Sequence, residues 1–446
     1  MLFCSLMVPA YFLLCAMKSG RFEVFWNSMW ECHVPDWDTW QPRHPPVAAR
    51  CSVKSRPPLV GAAHRTLFVD DSALHHYGVR NASAQLDCCF APFRYPSEAP
   101  PSSNDVYRVA SKCRQFRGSV TVTDEFVLAL CYISNEAGRL VDVYEGVHAF
   151  LRLNRSLTRA THDLTISQVL ILALGAPSRP ELHRFMPETL AALSNLSAVE
   201  MMGFSKVGSG LHDNLLSLLT ERSASACQRL DDCPFIWRNL SAAGFATAFA
   251  DDTRSLLGSR EDGFRRPPTD FFPLPYLALG GLKGGFGCNV PLARLERGLR
   301  YVSDLLDFLH DSKYFAVFSL LSGEDITDRH LAAIDQQLAS FLRNSRLQDT
   351  VLMLLGGCAP GARLPSLQIV LPSWFAYHRT EAMRALQSNS RRLTTPFDVF
   401  ETLLDLLHLS HDSAASRGRS LLEPLPRYRS CGDAGVSSQW CPCVWL

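Results

Sequence analysis

Several groups of side chains in this sequence have types and spacings that chemistry could use. Asp251 and Asp252 follow a short apolar run, where paired carboxylates can hold a divalent cation through hard oxygen ligands. The plainer role for such a pair is to cap a turn or a helix start. His212 and Asp213 stand just after Ser209, which supplies the residue types of a nucleophilic triad. Sequence neighbours do not normally converge as a triad, however, and no strand–GxSxG–helix elbow surrounds them. His408 and His411 are three residues apart at a helix end, a spacing that can share a metal but suits solvated side chains beside the helix C-terminus better. Asp231 and Asp232 precede an apolar Pro-Phe-Ile-Trp segment and read as helix-capping residues. The glycine-rich run 280–287 offers backbone amides to an anion, yet it lacks the terminal Lys-Ser/Thr of a phosphate loop and reads as a connector.

The elements that must position these groups are legible from residue 163 onward. Apolar runs of strand length occupy residues 169–174, 199–202, 245–249, 315–321, 351–355 and 367–371. Between them, helical periodicity is clearest at 182–193, 214–219, 292–309 and 331–342. Continuous apolar strands alternating with amphipathic helices predict an α/β core with a mostly parallel sheet covered on both faces. In such sheets functional loops lie at the carboxyl ends of the strands, so the residues just after the apolar runs are where chemistry is sought. The first 160 residues differ. Proline pairs, six cysteines beyond the leader and short runs such as 66–69 and 119–123 predict a loop-rich, disulfide-stapled β region. The organisation expected is a leader at 1–20, a Cys/Pro-rich region at 21–160 and an α/β core at 161–446. Trp26, Trp30, Trp37 and Trp40 read as packing for the proline-rich stretch rather than as a sugar platform.

Composition narrows the function classes. Lys and Arg number 44 against 43 Asp and Glu, so there is no global field to draw nucleic acid or an anionic membrane. Fifteen cysteines spread along the chain, without paired CxxC spacing, favour disulfides in an oxidising compartment over a zinc module. Setting aside Cys4 and Cys15 in the leader and the substituted Cys358 leaves twelve, with Cys227/Cys233 and a pair within Cys431/Cys441/Cys443 as local candidates. The apolar run 2–17 reads as a signal peptide or a signal anchor, the only route to a membrane foreseen here. Sequons at Asn81, Asn154, Asn195 and Asn239 lean the same way.

The order of segments resembles an animal extracellular family catalogued only as a numbered domain of unknown function, whose core looks like alkaline phosphatases and sulfatases. The stretches that carry the resemblance include VLILALGAPSR at 169–179, GFSKVG at 203–208, LDDCPFIW at 230–237, GFATAFADD at 244–252 and RLTTPFDVFETLLDLL at 392–407. The resemblance implies an alkaline-phosphatase-like sandwich whose active members build a divalent-metal site at strand ends. Active patterns place an Asp after the first core strand, and Gly175 stands in that place here. A nucleophilic Thr falls opposite Leu211. An Asp-His pair falls opposite Gly357 and Cys358, and a fourth element, a His, is replaced around Glu324. Gly and Leu have no side-chain lone pair to offer a metal, so ions and attacking atom would be lost together. The reading is a secreted family member without hydrolase activity, with no cofactor expected and an unidentified protein or glycan as partner. Its rival is an active phosphate- or sulfate-ester hydrolase with a divalent metal in a site rebuilt from Asp251, Asp252, Glu324 and His212, which would have to converge on one ion.

Overall fold

The structure, a computed structural model, describes Cys32 and residues 57–79, 86–96, 107–134, 139–153, 155–160, 164–222, 227, 229–252, 264–279, 289–321, 326, 328–357, 364–409 and 416–443. The leader, the four early tryptophans, the glycine-rich run 280–287, Asn81, Asn154, Glu324, Cys358 and His411 lie outside the described residues. Among the described residues no helix is long and apolar enough to cross a membrane.

The amino-terminal half of the fold is built of short strands: β1 (Val60–Ala63), β2 (Thr66–Val69), β3 (Leu86–Arg94), β4 (Arg108–Val109), β5 (Arg114–Phe116), β6 (Ser119–Thr121), β7 (Phe126–Ser134) and β8 (Leu140–Ala149). A three-stranded sheet runs β1-β2-β6, and a five-stranded one runs β4-β3-β7-β8 with β5 also paired to β3. Successive side chains of a strand point to opposite faces. Adjacent Cys88 and Cys89 therefore take different partners: Cys88 bonds Cys131, its cross-strand neighbour on β7, and Cys89 bonds Cys113 just before β5. On the inner face Phe90, Val127, Ala129 and Cys131 join Leu59, Val60 and Leu67 in one buried cluster.

The second half alternates strands and helices. In chain order they are β9 (Gln168–Leu174), α1 (Arg179–Phe185), α2 (Pro187–Asn195), β10 (Val199–Glu200), α3 (Leu211–Thr220), α4 (Ile236–Ala242), β11 (Ala246–Asp251), α5 (Leu274–Leu279), α6 (Asn289–Phe308), β12 (Tyr314–Leu320), α7 (Asp328–Asn344), β13 (Val351–Gly356), β14 (Ser366–Val370), α8 (Ser373–His378), α9 (Thr380–Asn389) and α10 (Pro396–Leu406). The sheet order is β10-β14-β13-β9-β12-β11. The pairings β11/β12, β12/β9 and β9/β13 are parallel, whereas β14 runs antiparallel to both β13 and β10. Every residue of β9, β11, β12 and β13 is buried, as expected of strands covered on both faces. Their alternation divides the core. Val169, Ile171 and Ala173 face α3, α4 and α10, while Leu170, Leu172 and Leu174 face α1, α2, α6 and α7.

Three sequence expectations need correction. The periodic stretch 182–193 is two helices, broken at Met186 because Pro187 has no N–H to donate and starts a new helix at its first turn. The run 199–202 contributes only two strand residues, and the run at 367–371 belongs to a strand of reversed direction. Asp231 and Asp232 do not cap the following helix, whose N-cap is Phe235 with no side-chain acceptor. Cys233 and Pro234 intervene, and Asp231 instead receives the Arg265 N–H at 3.1 Å and, through its carbonyl, the Arg238 guanidinium. The aromatics of that segment form a stack, with Phe235 and Trp237 centroids 4.1 Å apart and Phe249 and Phe264 against them.

The carboxyl-terminal segment is locked to the core by one buried ion pair. The Arg429 guanidinium makes a two-pronged contact with Asp398, at 2.7 and 2.8 Å, with both side chains almost fully buried. Asp398 also accepts the Thr395 N–H at 2.8 Å, completing the capping box of α10. Among the described residues five disulfides are seen: the two already named, Cys227–Cys233, Cys431–Cys441 and Cys32–Cys443.

Candidate functional site

The strand ends are where the resemblance puts metal ligands and nucleophile, and among the described residues the ends of β9 and β13 meet there main chain to main chain. β9 ends at Leu174, and the Gly175 N–H donates to the Leu320 carbonyl of β12 at 3.1 Å. The chain then turns through a cis Ala176–Pro177 bond into Ser178, whose N–H and hydroxyl both donate to Glu181 at 2.7 Å. On the neighbouring strand, β13 ends at Gly356 and continues into Gly357 with a positive φ of 71°. A Cβ on Gly357 would lie 2.4 Å from the Ser178 Cα, and one on Gly356 would lie 2.3 Å from the Pro177 carbonyl oxygen. Ser366 adds a hydroxyl donated to that same carbonyl at 3.3 Å. Backbone thus packs against backbone where two ligand-bearing side chains would have to stand.

The nucleophile position is equally filled. Leu211 is the first residue of α3, 6% exposed, and its side chain belongs to the main core cluster. Upstream, Asn214 ties the loop by accepting the Val207 N–H at 2.9 Å and donating to the Gly210 carbonyl at 2.6 Å. Asp213 accepts from the Ser209 N–H at 2.9 Å and its hydroxyl at 3.1 Å, an arrangement that fixes the turn rather than activating the serine. His212 is half-buried beside it.

Of the rebuilt-site residues, Asp251, Asp252 and His212 are described. Asp251 ends β11, 1% exposed, while Asp252 accepts the Leu321 N–H at 2.9 Å and so caps the end of β12. Asp251 lies level with Ser319, Ser319 with Ala173, and Ala173 with Leu355. Asp251 is therefore three strand spacings from the end of β13, about 14 Å. The described residues at Gly175, Leu211 and Gly357 offer no oxygen, nitrogen or sulfur donor, so they do not fit a divalent ion. Among the described residues, the group that could hold a metal is Cys431, Cys441 and Cys443, and all three sulfurs are engaged in disulfides. His408 is exposed after α10 with a positive φ of 51°. Asn195 and Asn239 are both exposed, as glycan acceptors must be.

Two charged features at this end of the sheet carried no weight in the sequence. Arg179, 5% exposed, donates to Glu200 at 3.1 Å, and His183 shares the same carboxylate oxygen at 2.8 Å. Burial pushes the Glu200 carboxyl up, but the contacts with His183 and Arg179 outweigh it and hold it below the ordinary range. Lys206, 1% exposed, sets its Nζ 4.2 Å from the Trp440 ring centroid, a cation–π contact supplied by the carboxyl-terminal segment. The only sequence signal for Lys206 was its place in the KVG stretch. Nothing linked it to a tryptophan 234 positions later.

Residues 60–445 match the family DUF229, described as a protein of unknown function. No curated protein matches the chain. Solved structures with similarity include the Zn complex of the C-terminal periplasmic domain of EcEptC from Escherichia coli (14% identity, 63% of this chain and 92% of that one, TM-score 0.41). The C-terminal periplasmic domain of phosphoethanolamine transferase EptC from Campylobacter jejuni is 13% identical over 58% of this chain and 94% of that one, with a TM-score of 0.38. Phosphonoacetate hydrolase from Sinorhizobium meliloti 1021, in complex with phosphonoacetate, is 9% identical over 45% and 60%, with a TM-score of 0.31.

Proposed function

We propose, for a chain that belongs to the DUF229 family, that it is a secreted relative of alkaline phosphatases and sulfatases that binds a partner and does not hydrolyse an ester. The observation that carries this reading is the contact of Gly356 and Gly357 with Pro177 and Ser178. Losing ligand atoms alone leaves a cleft that neighbouring side chains can refill. Main chain packed against Gly357 leaves no room there for a ligand-bearing side chain. Two-metal ester transfer needs several fixed donors and an activated nucleophile at one point. Asp251 and Asp252 stand across the sheet from the end of β13, and one Asp252 oxygen accepts a backbone N–H. The five disulfides support an oxidising compartment, and exposed Asn195 and Asn239 are available to its glycosylation machinery.

The test is metal content and turnover on the full chain produced through a secretory host. The protein should emerge without stoichiometric zinc, manganese, magnesium or calcium. It should release no product from aryl phosphate or aryl sulfate when each ion is supplied. One equivalent of tightly held metal, or turnover that a chelator abolishes, overturns the proposal.

A further inference from the structure

One cavity among the described residues lies away from the strand ends of the large sheet. It is a groove of about 1020 Å³ between the five-stranded sheet and the α/β core. Its accessible apolar lining is Val109, Leu153 and Pro267, with Phe93, Phe126 and Phe272 buried beneath, and its walls carry arginines from separate segments of chain. Arg155 anchors the core side through a two-pronged pair with Asp270, at 2.9 and 2.7 Å, and Asp270 in turn accepts the Thr247 N–H near the start of β11. Thr247 lies four residues before Asp251 on that strand, about 13 Å along it. The groove therefore belongs to the opposite edge of the sheet from the closed site.

The charges of the groove do not cancel. Arg155 is matched by Asp270, and Arg114 lies 3.6 Å from Asp124. Arg94 and Arg108 are exposed and directly opposite one another across β3 and β4, which puts their Cβ atoms about 5 Å apart. Like charges in that register repel, and among the described residues neither has an acidic partner. Exposed Arg152 adds a third guanidinium, held by its bond to the Thr123 carbonyl. The remaining acid, Glu125, is pushed up to about 7 by burial, against the pull of Arg152, so it supplies only part of a negative charge near neutrality. The β5 wall is stapled by the Cys89–Cys113 disulfide, next to Arg114. Such a rigid cationic rim over an apolar floor is built to hold an extended anion with an apolar face.

We propose that this groove binds an anionic oligosaccharide, with sulfate or carboxylate groups on Arg94, Arg108 and Arg152 and the carbon faces of the sugar rings against the apolar lining of Val109, Leu153 and Pro267. The volume exceeds what a single inorganic anion needs, and disulfide-bonded proteins meet their polyanions chiefly as such glycans. This inference stands whether or not the strand-end site is inactive.

The experiment titrates the secreted full chain with a heparin-derived hexasaccharide and with its desulfated counterpart, by calorimetry at several salt concentrations. Binding of the sulfated form should weaken at least about tenfold in an Arg94→Glu/Arg108→Glu variant, with a shallower dependence on salt. Arg343→Glu/Arg346→Glu, which alters two exposed arginines elsewhere, should leave affinity unchanged. If the glutamate pair impairs secretion, Arg94→Gln/Arg108→Gln keeps the test open through a smaller loss in the same direction. Absence of binding, equal affinity for the desulfated sugar, or equal loss in the control pair overturns the proposal. Equal affinity for a single-stranded oligonucleotide also overturns it, because that outcome marks unselective attraction of polyanions.

Discussion

Replacing Gly357 by alanine tests the closed strand end most directly. Two costs add at this position. A side chain in the left-handed region costs about 1–2 kcal/mol, and the new Cβ would sit 2.4 Å from the Ser178 Cα, a backbone atom with no rotamer to escape into. Overpacking of that kind costs about 1–3 kcal/mol. The sum is about 2–5 kcal/mol, read as a lower urea midpoint at unchanged slope. Gly78 supplies the control, since it has a similar φ of 74° and nothing within 4 Å of its ideal Cβ. Gly78→Ala should show the conformational cost alone, so the difference between the two variants isolates the steric one. Gly357→Asp, which restores the acid of the active pattern, should be at least as destabilised as the alanine and should gain no metal. Equal costs at Gly357 and Gly78 would refute the argument that backbone fills the site. A well-folded Gly357→Asp protein that takes up zinc would refute it outright.

Asp398→Asn should cost about 3–5 kcal/mol, because it leaves the buried Arg429 guanidinium uncompensated; secreted yield and urea midpoint read it out, and an unchanged midpoint would contradict the locking role. Removing the Cys88–Cys131 bond by paired serine substitution should cost about 4 kcal/mol by the loop-closure rule for a separation of 43 residues, measured by denaturation without reductant. Glu125 and His148 give opposed pH slopes. Burial raises Glu125 to about 7, so the folded protein keeps a proton that the unfolded chain releases, and stability falls as pH rises from about 4.5 to 7. Burial, with help from Arg300, lowers His148 to about 4, so the unfolded chain takes up a proton that the folded one refuses, and stability falls as pH drops from 6.5 to about 4. Glu125→Gln should therefore leave a stability profile that declines more steeply toward acid than the parent; parallel profiles between pH 4.5 and 6.5 would count against it.

The apolar runs located five strands of the large sheet because full burial writes itself as unbroken hydrophobic sequence, whereas half-buried β10 holds only two residues of its run. Direction was not readable in the same way. The residues of β14 are as apolar as a parallel strand would require, and only its pairing reverses it. Pro187 did mark the break between α1 and α2, but surrounding periodicity outweighed it. At the strand ends, the residue types at 175, 211 and 357 signalled absent donors, whereas the main-chain contact filling the space depends on a turn the sequence does not spell out. The arginine groove was invisible for another reason. Its residues come from β3, β4, β5 and the stretch after β8, and a total charge near zero conceals a local excess.

The bond between Cys32 and Cys443 joins positions 411 residues apart, so nearly the whole chain forms one covalent ring. Within the ring an exopeptidase cannot advance past either cysteine without meeting the cross-link. A single endoproteolytic cut between those positions opens it without separating it, and the nicked protein keeps its full mass until a reductant is added. Because Cys443 lies 411 residues after Cys32, the ring can close only once all the chain between them has been made.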